Sequence, residues 1–196
     1  MSRAAVLTLL CFIYLATPAW AHESADAGWL HPLTGADHAV AMIAVGAWSA
    51  QMGRRAVWMV PAAFVIFMAV GGGLGLMLFD LSGVELGIAA SVLLLGLAIG
   101  FERRLPLLFA ATAVAVFGLF HGYAHGYEIP IVADKAGYIA GFLFSTALLH
   151  VLGLVGARLL LGKCRHGEVA LRALGLASAC FGVWLIGGQV GLAPLA

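Results

Sequence analysis

Apolar residues run through this chain in long unbroken blocks, not in the one-sided stripes of a helix that lies on a soluble core. Six blocks fall near residues 32–51, 56–79, 84–101, 105–124, 136–161 and 168–192, each about long enough to cross a hydrocarbon layer ~30 Å thick. The pattern predicts an all-α fold, a polytopic membrane protein of six transmembrane helices. A shorter block comes first: Arg3, an apolar run from Ala4 to about Leu15, then Thr17-Pro18 and Ala19-Trp20-Ala21. That is the three-part layout of a cleaved secretory signal peptide. It predicts that residues 1–21 are removed and that a single membrane domain, 22–196, begins at His22 outside the cytoplasm.

Charge gives the blocks a direction. With the new N-terminus outside, the inner joints and helix ends hold Arg54, Arg55, Arg103, Arg104, Arg158, Lys163, Arg165 and Arg172, and the outer side of the mature chain holds Lys135 alone. Basic residues collect on the cytoplasmic side of membrane proteins. The acidic Glu23, Asp26, Asp80, Glu85, Glu128 and Asp134 fall outside. Both mature termini are therefore expected on the periplasmic face. Trp48 and Trp58 beside the first inner joint, and Trp29, Tyr123, Tyr127 and Tyr138 at the outer boundary, read as interfacial aromatics. Glycines at 71, 72, 73 and 75, and at 118, 122 and 126, predict faces on which helices approach closely.

Composition narrows the function classes. Of 196 residues 63% are hydrophobic and 10% charged, with a mean hydropathy of +1.06, where a soluble domain is about a quarter charged. A net charge of +1, with basic residues in short pairs and no stripe, gives no reason to expect nucleic acid. Three scattered cysteines, Cys11, Cys164 and Cys180, make no disulfide framework. Gly162-Lys163 is followed by Cys164, so no phosphate-binding Gly-x4-Gly-Lys-Ser/Thr loop occurs and nothing points to ATP.

The polar residues inside the apolar blocks carry the chemistry. The fourth block closes with Phe-His-Gly-Tyr-Ala-His-Gly-Tyr-Glu at 120–128. On a helix His121, His125 and Glu128 leave from one face within two turns. Imidazoles one turn apart can share a metal ion, and a carboxylate a turn further on can join it or orient a ligand. The first block opens with His-Pro-Leu-Thr-Gly-Ala-Asp-His at 31–38. Pro32 suits a first helical turn, which predicts His31 at the outer boundary and Asp37 and His38 about two turns deeper. A carboxylate within a span is unfavourable unless it is paired or coordinates a cation. Both motifs lie at the outer end, so they predict one composite site of Asp37, His38, His121 and His125, with His31 and Glu128 at its mouth. His150, near the middle of the fifth block with Thr146 one turn away, reads equally as a second station or a polar helix contact. Met42, four residues after His38, reads as a packing residue before a sulfur ligand.

Imidazole with carboxylate and no thiolate suits Ni²⁺, Co²⁺, Zn²⁺ or Cu²⁺ better than the oxygen-seeking Mg²⁺ and Ca²⁺. Donor chemistry does not separate the four.

These residues carry a family resemblance. His31 to His38 resembles the His-x5-Asp-His motif of the HupE/UreJ family of bacterial nickel and cobalt permeases. Phe120 to Glu128 is similar to that family's second motif, Phe-His-Gly-x-Ala/Val-His-Gly-x-Glu. Both match without departure and in order. The resemblance implies a multi-pass permease of the bacterial inner membrane that carries a divalent metal ion, Ni²⁺ first and Co²⁺ as the alternative, from periplasm to cytoplasm. It implies His31, Asp37, His38, His121, His125 and Glu128 as the metal-binding residues. It further implies no catalytic activity, no resident cofactor, the lipid bilayer as surroundings, and only an indirect link to a metal-requiring enzyme such as hydrogenase or urease. The competing reading of the same donors is an intramembrane zinc-dependent hydrolase, in which bound water attacks a lipid amide or ester. A b-type cytochrome and an accessory protein that hands metal to a periplasmic partner are further alternatives.

Overall fold

The computed structural model describes residues 28–129 and 135–191, with the side chain of His31 left out. The expected signal peptide, the mature start at His22, and Asp134 lie outside the described residues. All described regular structure is helical: α1 (His31–Thr34), α2 (Ala36–Met52), α3 (Ala56–Leu76), α4 (Val84–Gly100), α5 (Leu107–Tyr127), α6 (Lys135–Lys163) and α7 (Gly167–Gln189). Four of these, α3, α5, α6 and α7, are long and apolar enough to cross a membrane. The apolar α4 and the site-bearing α2 have 17 residues each, about 25 Å at 1.5 Å per residue.

The bundle has an apolar surface, and several polar side chains are buried in its otherwise apolar core. Trp58, Leu108 and Phe109 point outward, 75%, 77% and 70% exposed, while His121, His125, Ser91 and Thr146 are fully buried. An apolar surface of this kind, with the ionisable side chains turned inward, suits a lipid surround.

Glycines set the helix pairs. Along α5, Gly118 lies against the backbone of Phe64, Gly122 against Met68 and Gly126 against Gly72, while Gly71 and Gly75 of α3 meet α5 in return. Both residue numbers rise together, so α3 and α5 run parallel, and a methyl at these positions would overlap a neighbouring carbonyl. Gly73 has nothing near it, so that glycine takes no part in the packing. In α2 and α6, Met42 faces Thr146 and Gly46 meets His150, again parallel. In α4 and α7, Gly100 meets Leu176 and Gly182 meets Leu93, which is antiparallel. At the far end of α2, Gln51, Trp48 and Arg172 donate to the carbonyls of Ile99, Arg103 and Gly100, satisfying the last acceptors of α4 and its exit.

Two expectations change. The first block is not one helix: Gly35 is extended (φ −78°, ψ 108°) and separates α1 from α2, glycine being among the poorest helix formers. The helical path from Pro32 to His38 is therefore interrupted, and Asp37 sits in the first turn of α2, not two turns into a helix. There a carboxylate complements the positive helix end. Second, Trp48, Tyr123 and Tyr138 are not interfacial, being only 2%, 7% and 7% exposed. Tyr123 instead donates to the carbonyl of Phe79 at 2.6 Å, pinning the α3 exit to α5.

Candidate metal site

The start of α2 and the end of α5 meet at one end of the bundle. The His38 ring lies 4.8 Å from that of His121, edge to face, and 4.7 Å from that of His125. Helical spacing puts His121 and His125 on one side of α5, and the glycine face at 118, 122 and 126 brings α3 against the adjoining side. Phe142 of α6 stacks on His125 at 5.0 Å, and Phe64 of α3 lies 5.4 Å from His121. Among the described residues no three His, Cys, Asp or Glu groups form a ready coordination sphere. The rings of His121 and His125 both pack against that of His38.

Hydrogen bonds assign the ring protons. Asp37 Oδ1 accepts from the His38 backbone N–H at 2.8 Å and from His38 Nδ1 at 2.9 Å. A carboxylate only accepts, so Nδ1 carries a proton and in the neutral ring Nε2 keeps the lone pair, the arrangement in which a carboxylate orients a metal-ligating histidine. Ser91 of α4 does the same for His121. Its hydroxyl donates its single proton to the carbonyl of Ile88 at 2.6 Å, so toward His121 Nε2, 2.9 Å away, it must accept. His121 is therefore protonated on Nε2 and keeps its lone pair on Nδ1, which is buried with no hydrogen-bond partner among the described residues.

Glu128 caps the C-terminal end of α5 and is exposed, one turn beyond the buried His125. It lines an open cavity of about 460 Å³ together with Asp80, Glu85, Tyr123 and Tyr127. Glu85 and Glu128 lie close enough to His38 for their charges to bear on it. Of the six residues expected at the site, Asp37, His38, His121 and His125 come together, Glu128 lines the acidic cavity, and the His31 side chain lies outside the described residues. Sequence reasoning missed Ser91, Glu85 and Phe64. Glu85 carried a signal, an acidic residue on the outer side, whereas Ser91 and Phe64 are residue types that any span contains.

The sequence model of the family described as HupE / UreJ protein matches residues 9–185. The chain belongs to the HupE/UreJ family. Protein HupE of Rhizobium leguminosarum bv. viciae is 44% identical over 193 residues, covering 96% of this chain and all of that protein. No solved structure matches the chain. HupE/UreJ proteins form a nickel/cobalt transporter family, so membership agrees with membrane-spanning helices and a metal ion as substrate. As a HupE/UreJ member the chain is expected to move an ion rather than transform a molecule.

Proposed function

We propose that this protein is a secondary permease that takes up a divalent transition metal, Ni²⁺ first and Co²⁺ second, from the periplasm into the cytoplasm across the inner membrane. The observation that carries the reading is the meeting of His38, His121 and His125, three rings with centroids 4.7 and 4.8 Å from the first to the others, at the outer end of a lipid-facing bundle. Six crossings after a cleaved signal peptide, with both mature termini outside, complete it. Alternating crossings make α2 and α6 parallel, α3 and α5 parallel, and α4 and α7 antiparallel, and the glycine contacts agree on every pair.

The ion is collected at the acidic cavity between Glu85 and Glu128. A six-coordinate aquo ion needs room for six waters, about 180 Å³ at ~30 Å³ each, and the cavity of about 460 Å³ admits it. It then exchanges water for imidazole nitrogen, with Asp37 holding His38 and Ser91 holding His121 in their ligating tautomers. His31 stands at the entrance. A doubly charged ion crossing ~100 mV, inside negative, gains about 4.6 kcal/mol, enough to concentrate the metal without ATP. The family comparisons give the intramembrane zinc hydrolase no support.

The test is uptake of ⁶³Ni²⁺ and ⁵⁷Co²⁺ by cells lacking their own importers, comparing this protein with His38→Ala. Uptake dependent on His38 is expected, and the isotope ratio reports the preferred ion. Equal uptake by the variant at equal membrane insertion refutes the site.

A further inference from the structure

A second group of donors adjoins the histidine cluster, with Met42 one turn beyond His38 on α2, Met68 level with Gly122 beside His121, and His150 deeper; the inference drawn from it rests on the transport reading above. His150 is buried in α6 at 2% exposure, and neither ring nitrogen has a hydrogen-bond partner among the described residues. One turn outward on the same face, the Thr146 hydroxyl faces two thioethers, Met42 Sδ of α2 and Met68 Sδ of α3, each at 3.4 Å. Phe64, one turn inward of Met68 on α3, has its ring perpendicular to that of His150 at 5.1 Å and lies 5.4 Å from that of His121. Three helices thus converge on one imidazole, one hydroxyl and two sulfurs, a single aromatic ring away from the outer histidines.

We propose that His150, Met42 and Met68 form a second, inner station that receives the metal ion from the outer histidines. Buried polar groups in proteins are overwhelmingly paired, and an imidazole with neither nitrogen paired is poor structural glue. The hydroxyl has one proton for two sulfurs, so one thioether is always left unengaged, and each sulfur has a second lone pair. All three donors are neutral. A carboxylate at this depth would hold a doubly charged ion firmly, whereas imidazole and thioether bind it weakly enough for release. Sulfur and nitrogen also favour late transition metals over Mg²⁺ and Ca²⁺, which require oxygen. The station therefore sorts ions that the acidic mouth collects by charge alone.

The test uses the full-length protein in proteoliposomes, with ⁶³Ni²⁺ as the probe, and X-ray absorption at the nickel edge on the same purified protein. Met42→Leu/Met68→Leu keeps the side-chain volume and removes both sulfurs. The expected result is a maximal rate about tenfold lower or less, with KM unchanged within about twofold, because the outer site still loads. The wild-type absorption spectrum should show a sulfur neighbour to nickel that the double variant lacks, and His150→Leu should match the double variant in rate. A full rate in the double variant, or a slow rate without any sulfur neighbour in the wild type, overturns the station, the latter by reducing the methionines to packing. Those outcomes are distinct from failure of the transport reading, which is wild-type protein moving neither ⁶³Ni²⁺ nor ⁵⁷Co²⁺, and which would remove the station with it.

Discussion

Ser91→Ala gives the sharpest check on how the site is held. In the native protein the Ser91 hydroxyl gives its proton to Ile88 and accepts from His121 Nε2 at 2.9 Å, and both side chains are fully buried. Removing the hydroxyl strands the imidazole N–H in a fully buried position. An unsatisfied buried donor costs about 1–3 kcal/mol, so the folded state should weaken by about 2 kcal/mol. The ring is then released to rotate and to shift its proton to Nδ1, the atom that otherwise bears the ligating lone pair. Loss of such an orienting partner typically lowers metal affinity or activity by about 10–100-fold.

The assay is a double-mutant cycle with His121→Ala, reading reversible unfolding in bicelles and nickel uptake in parallel. In the His121→Ala background the hydroxyl has no imidazole to serve, and a serine that bonds back to its own helix is slightly destabilising. There Ser91→Ala should be neutral or mildly stabilising, a reversal of sign that simple loss of packing does not produce. Equal destabilisation in both backgrounds, or uptake by Ser91→Ala at the wild-type rate, would refute the assignment of the His121 tautomer.

Four further outcomes follow. Asp37→Ala should insert normally yet lose nearly all nickel uptake, because Asp37 fixes the ligating face of His38 through the 2.9 Å contact; wild-type transport would contradict this. Glu85→Gln and Glu128→Gln should each lower uptake most at limiting metal, where collection at the acidic mouth matters, which an uptake curve against metal concentration resolves. Uptake should fall as the outside pH drops below about 6, since imidazole with a reference pKa of ~6.5 ligates only when neutral; undiminished uptake at pH 5 would count against histidine ligation. Gly122→Ala forces a methyl into the Met68 carbonyl, an overpacking worth about 1–3 kcal/mol, while Gly73→Ala should be silent, and thermal unfolding that ranks the two equally would undo the close-packing argument.

The helix blocks were legible in the chain because lipid demands continuous apolar runs, and the four long candidate spans match expected segments within a few residues. The break at Gly35 was not, since Pro32 marked a plausible helix start and a lone glycine inside a helical pattern is often tolerated. The meeting of His38, His121 and His125 was legible because ionisable residues inside a span stand out against their background, and helical spacing already put His121 with His125.

Partners were the illegible part. Glycines at 118, 122 and 126 announce a close-packing face but do not name α3 as what packs there, nor that it runs parallel to α5. Ser91 shows the limit most clearly. A serine in a span can satisfy itself by bonding back to its own helix, so its type carries no signal, and only the 2.9 Å contact from α4 to His121 distinguishes it. A helix with no motif of its own thus sets which nitrogen of a motif histidine carries the ring proton. By the same logic His150 had to remain ambiguous in sequence. What separates a ligand from a helix contact is whether its nitrogens are satisfied and what stands beside them, and the thioethers of Met42 and Met68 arrive from helices distant in the chain.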